Sequence, residues 1–172
     1  MKRKFKYIDW NYDSGSGNGP FGYQNASVAG TTRLFSVRHE FPTEWARFQG
    51  QVPGENQRFE LAVNLRAEHY PFWSQGLLNS VARVELLLRS SAEPASANLT
   101  VYGVANKGAA NQPQDTLVTN PNLGDVLSGQ LSAGTGGIAL PETPITALKL
   151  CFDERAMSDL WIAINWGGAT GP

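Results

Sequence analysis

The chain has 172 residues and a mass of 18.7 kDa, the size of one ordinary domain that can bury most of its surface without a disulfide or metal staple. Its 14 Lys and Arg stand against 15 Asp and Glu, a net charge of −1, which excludes a general electrostatic grip on nucleic acid or on an anionic membrane. Charged residues make up only 17% and the chain is punctuated by 18 Gly and 10 Pro, which excludes a coiled coil and a charge-rich disordered tail and suits an all-β chain with many turns.

The first residues, Met1-Lys2-Arg3-Lys4-Phe5-Lys6, are basic but run into no apolar signal-peptide core. Residues 4–10 alternate as a short strand. Asp13-Ser14-Gly15-Ser16-Gly17-Asn18-Gly19-Pro20 follows. Its Gly and Pro disfavour both helix and strand, and it lacks the Gly-Lys-Ser/Thr ending of a phosphate loop. Residues 1–30 therefore read as an N-terminal strand and a flexible Gly-rich segment ahead of a β-sandwich domain over 31–166, with 167–172 a frayed tail.

Residues 31–38 form a predicted strand rich in β-branched and aromatic side chains. Pro42 opens a short helix over 42–48 that sets Trp45 and Phe48 one turn apart. In residues 58–66, Phe59, Leu61, Val63 and Leu65 alternate with more polar positions, the pattern of a half-buried strand. Residues 67–76 make an aromatic turn. Residues 80–90 return as a strand with Ala82, Val84, Leu86 and Leu88 on one face. Residues 91–97 are the expected hairpin link to a strand over 98–105. The stretch 106–144 is weakly patterned, with short strands expected near Leu117-Val118 and Leu131. Strands over 145–152 and 160–166 close the domain, the first turning Leu148, Leu150 and Phe152 to one face, the second Leu160, Ile162 and Ile164. One helical turn is expected at 153–158. Short strands, polar loops and no alternation of strand with helix give the fold class: all-β, an antiparallel β-sandwich with one or two short helices, and one core holding Leu61, Val63, Leu86, Leu150 and Ile162.

No run approaches 18 consecutive apolar residues, so no helix is expected to span a membrane. The single cysteine, Cys151, sits in the apolar run 147–152 and reads as a small buried hydrophobe. His39 and His69 lack the spacing of paired ligands on one helix face, Gly15-Ser16-Gly17 is not a nucleophile elbow, and Asp9/Asp13 lack the acidic set of a calcium loop. Glu40, Glu44, Glu60, Glu68 and Glu85 sit where a solvated side chain suffices. The expectation is no enzyme, no cofactor, no metal and no catalytic residue. The sequons at Asn25 and Asn98 carry no weight without a secretory signal. Trp10, Trp45, Trp73, Trp161 and Trp166 admit two readings. Exposed rings would stack on sugars, making a carbohydrate-binding module, whereas Trp45, Trp73 and Trp161 would otherwise plug one core, the reading favoured here because each lies beside an apolar stretch.

One combination points further. Phe35-Ser36-Val37-Arg38-His39-Glu40-Phe41-Pro42-Thr43-Glu44-Trp45 is followed by an alternating strand, then Glu68-His69-Tyr70-Pro71-Phe72, then the strand 81–88, and the chain closes with Ser158-Asp159-Leu160-Trp161-Ile162-Ala163-Ile164-Asn165-Trp166. This order resembles the C-terminal β-rich domain of the A components of bacterial Tc (toxin complex) insecticidal toxins, over roughly residues 31–166. The resemblance implies a protein-docking domain of a secreted virulence toxin. Its partner would be the cocoon-forming B–C component, with five copies around a pore entrance. It implies no contact with membrane or nucleic acid by this domain and assigns no contact residue. The helical shell and channel of a full A component have no counterpart here, which leaves an excised domain or a stand-alone homologue. The polar segment 106–144 is the expected docking surface, together with any unpaired edge strand.

Overall fold

A computed structural model describes residues 31–91, 97–124, 126–132 and 134–166. The expected strand at 4–10, the Gly-rich loop, Asn25, Trp10 and the tail at 167–172 lie outside the described residues.

Among these residues eight strands are present: β1 (Thr31–Ser36), β2 (Phe59–Asn64), β3 (Val81–Ser90), β4 (Asn98–Tyr102), β5 (Gln114–Thr119), β6 (Val126–Gln130), β7 (Ala147–Phe152) and β8 (Met157–Trp166). They form one antiparallel sheet in the order β1-β8-β3-β6-β5-β4-β7-β2. The all-β class is thus present, in a single sheet curled about its core. Two short α-helices, α1 (Val37–Glu40) and α2 (Pro42–Gln49), join β1 to β2.

Alternation sets the strand faces. Val84, Leu86 and Leu88 on β3 lie opposite Ile164, Ile162 and Leu160 on β8. Phe59, Leu61 and Val63 on β2 lie opposite Phe152, Leu150 and Leu148 on β7. Side chains opposite each other on one face are the unit of sheet stability. All these residues belong to one core, Phe59 at its margin, and the five residues expected to share a core do so. Cys151 is fully buried, as expected, and burial pushes its thiol up to about 11.

Strands β5 and β6 approach closely at Gly129. Gly129 stands opposite Leu86, and a Cβ there would lie 2.6 Å from the Thr116 carbonyl oxygen and 2.8 Å from Leu117 Cδ2. Only a residue without a side chain permits that approach.

Several expectations are corrected. The strand expected over 31–38 stops at Ser36, because Ser36 caps α1: its Oγ accepts from the His39 N–H at 3.3 Å, and Glu40 Oε1 accepts from the Ser36 N–H at 3.1 Å. Asp159 on β8 fixes this turn, accepting from Ser36 Oγ at 3.0 Å and from the Arg38 N–H at 3.3 Å. The helical turn expected at 153–158 is absent, since β8 already begins at Met157. Arg155 instead donates to the carbonyls of Gln49 and Gln51 at 2.5 and 2.6 Å, satisfying the free C-terminal end of α2. Residues 91–97 are not a hairpin link, because β3 pairs with β6 and β8 while β4 pairs with β5 and β7. The strand expected near Leu117-Val118 is present as β5, whereas the one expected near Leu131 lies just before it as β6, which ends at Gln130; the Leu131 N–H donates to the Val84 carbonyl. The strand expected over 98–105 ends at Tyr102.

Candidate docking surface

Tyr70 anchors the link between β2 and β3. It is buried, its hydroxyl donates to the Pro144 carbonyl at 2.8 Å, and its ring meets Phe35 and Trp166 edge-on at 5.5 and 5.0 Å. Burial raises its phenol well above the ordinary range. Just before it, the turn Ala67–His69 is closed by His69, whose Nδ1 accepts from the Arg66 N–H at 3.0 Å. The His69 ring packs edge-on against Phe41 at 5.0 Å.

After Tyr70, Pro71 starts the 3-10 helix Phe72–Leu77. Ser74 is its inward residue, fully buried, with Oγ donating to the Pro71 carbonyl at 2.8 Å. Leu78 is buried just beyond it. With Tyr70, Ser74 and Leu78 taking the inward positions, the intervening side chains point out. Phe72 is 89% exposed, Trp73 64% and Leu77 52%. The two adjacent rings make a small exposed apolar patch. The helix is held by its own hydrogen bonds and by the core at both ends, so the rings sit on a fixed mount.

This overturns the expectation that Trp73 plugs the core. Trp161 is also outside it, because alternation along β8 turns it away from Leu160 and Ile162; it lies half-buried with Arg89 5.8 Å from its ring. Trp45 packs against the core beside Phe48 at 5.8 Å, and Trp166 lies within it. The sequence holds no signal that separates an exposed Phe-Trp pair from a buried one in a short turn.

The segment 106–144, the expected docking surface, has one large exposed apolar side chain among its described residues, Val118. Its 131–138 stretch is fastened to β5: buried Asp115 accepts from the Ser132 hydroxyl at 2.5 Å and from the Ile138 N–H at 3.0 Å.

A second polar cluster joins the start of β2 to the ends of β4 and β7. Buried Arg58 lies over the Tyr102 ring at 3.5 Å, donates to Gln112 Oε1 at 2.8 Å, and faces Asp153 at 3.4 Å, which Lys107 also meets at 3.3 Å. Arg58 Nη1 and Nη2 donate to the Val104 carbonyl and Gln112, which makes the cluster a fastener between chain segments, while Arg58 Nε is buried without a hydrogen-bond partner. Glu85, expected to be solvated, has a side chain only 19% exposed beside Arg83 Nη2 at 3.1 Å, and burial pushes its carboxyl up to about 7. Among the described residues no group of three or more His, Cys, Asp or Glu side chains is placed to hold a metal ion. No helix among them is long and apolar enough to cross a membrane.

The chain matches no protein-family model, no curated protein and no solved structure.

Proposed function

We propose that this domain acts by protein contact, as a docking module of the kind that closes a Tc-toxin A component, with a cocoon-forming B–C component as its partner. The observation that carries the reading is the pair of exposed aromatic rings on a fixed mount, Phe72 and Trp73. Interface hot spots are enriched in such residues, and a rigid mount lowers the ordering cost of binding. The order of motifs quoted above supports the choice of partner. The scaffold that suits this role is a two-layer sandwich in which β1-β8-β3-β6 faces β2-β7-β4-β5. That order is the strand order of a jelly roll. The single core that collects the inward side chains of both halves supports it.

A second reading draws on the same rings: an exposed Trp and Phe can stack on a sugar face, as in a carbohydrate-binding module. The two readings part in one experiment. A pentamerised fusion of the full chain is presented to the cocoon-forming component of a Tc toxin, and the monomeric chain is screened on a glycan array. Retention of the cocoon component supports docking. No retention, together with a saturable sugar ligand lost in Trp73→Ala, transfers the function to glycan binding.

A further inference from the structure

The link from β2 to the 3-10 helix runs Arg66-Ala67-Glu68-His69-Tyr70-Pro71. It is pinned at both ends. Before it, Leu65 exchanges two backbone hydrogen bonds with Thr146, at 2.8 and 3.1 Å; after it, the Tyr70 hydroxyl donates to the Pro144 carbonyl at 2.8 Å. Between the pins one residue closes the turn. The His69 N–H donates to the Arg66 carbonyl at 3.0 Å, and His69 Nδ1 accepts from the Arg66 N–H at 3.0 Å. The second bond requires Nδ1 without a proton. The helix Phe72–Leu77 is tied to the same turn, because the Ala67 carbonyl accepts from the Tyr70 N–H at 3.0 Å and from Gln75 Nε2 at 3.2 Å.

We propose that His69 is a proton-operated latch: uptake of one proton at Nδ1 opens the turn Ala67–His69 and loosens the helix Phe72–Leu77. The inference goes beyond the docking reading and holds whatever the exposed rings meet. A neutral imidazole has one donor and one acceptor nitrogen, whereas a charged one donates from both. Imidazole is the side chain that changes charge between about pH 5 and 8. Once Nδ1 carries a hydrogen, two donors face each other, the Arg66 N–H loses its acceptor and the ring turns away. The surrounding charges do not offset this. Arg66 and Glu68 on the turn pair with each other at 3.2 Å. The ring's other neighbour is Phe41, edge-on at 5.0 Å. Beside Phe41, Glu40 is engaged by Arg33 at 2.7 Å and by the Ser36 N–H, and Glu44 lies in the first turn of α2. The Tyr70 phenol, raised by burial, stays protonated across this range, and residues 72–77 carry no charge. Among the described residues no carboxylate forms an ion pair with His69. Opening is therefore coupled to proton uptake, and the open fraction grows as pH falls.

The test is NMR of the full chain at pH 8 and pH 5, with His39, whose side chain is exposed, as the internal reference. At pH 8 the imidazole nitrogen signals of His69 should show the Nε2–H tautomer. At pH 5 the hydrogen-exchange protection of the Arg66 amide, corrected for the intrinsic rate, should drop by roughly tenfold, the worth of one net hydrogen bond. The Trp73 indole signal should shift with it. His69→Asn keeps an acceptor close to the position of Nδ1 and takes up no proton, so both effects should vanish in that variant. His69→Ala should show the low protection at either pH. An Arg66 amide equally protected at pH 5 and pH 8 in the wild type overturns the latch. A loss that persists in His69→Asn also overturns it, by assigning the effect to another group such as Glu85. A Trp73 signal that stays in place while the Arg66 amide opens overturns the coupling to the helix.

Discussion

Glu85 is the residue whose ionisation should be visible in the stability of the whole chain. It sits on β3, on the face turned away from the core, and burial holds its carboxyl at about 7 against an ordinary 4.5. The folded state thus keeps a proton that the unfolded chain releases. Between pH 4.5 and 7 the unfolded state binds fewer protons, so stability falls as pH rises through that window and levels off above it. The size is at most about 3 kcal/mol at 1.36 kcal/mol per unit, reduced by solvent screening at a partly exposed side chain. Urea unfolding at pH 5 and pH 8 should show this fall in wild type and a flatter profile in Glu85→Gln. Equal slopes in the two proteins would refute the assignment. The period-two pattern of β3 places Glu85 opposite Leu86 in facing, but it says nothing of how deeply the outer face is shielded. That depends on neighbours such as Ala163, which the sheet register sets directly beside it.

At the level of elements, the free edge of β2 is managed by one side chain. The Gln51 amide donates to the Glu60 carbonyl at 2.6 Å and accepts from the Glu60 N–H at 2.8 Å. It satisfies an edge residue as a neighbouring strand would, and so blunts a site for unwanted pairing. Gln51→Ala removes both bonds and should cost about 1–2 kcal/mol. Gln51→Glu keeps the acceptor but points a second oxygen at the Glu60 carbonyl, so it should cost more than Gln51→Ala in a denaturation series at neutral pH. The reverse order would mean that the amide is not a strand mimic. Elements with one buried face were legible in the sequence: β2, β3, β7 and β8 announce themselves by alternating apolar residues, and their facing followed. The helix α1 was not, because its cap depends on Asp159, 123 residues beyond Ser36. Nor was the crossover from β3 to β4, since two successive strands separated by a short polar link look alike whether they pair or part. The exposure of Phe72 and Trp73 was hidden for a related reason. Their outward position follows from Tyr70, Ser74 and Leu78 taking the inward ones, and the Tyr70 anchor is closed by Pro144, far away in sequence.

For the molecule as a whole, the strand order sets the first strand in sequence, β1, beside the last, β8. Thr31, the first residue of β1, is paired with Trp166, the last of β8, and Trp166 packs on Tyr70 at the same end. This arrangement fixes how the domain answers a mechanical load. A pull applied at Thr31 and Trp166 acts across one rung of an antiparallel ladder. It opens the rungs between β1 and β8 one after another, like a zipper, instead of shearing them all at once. The sheet should therefore yield at low force, with β1 peeling first and the core behind β8 following. Single-molecule stretching between handles at Thr31 and Trp166 should record a low-force event with a first contour gain matching release of β1 and the segment up to α1. A single high-force rupture would show that something other than this ladder bears the load.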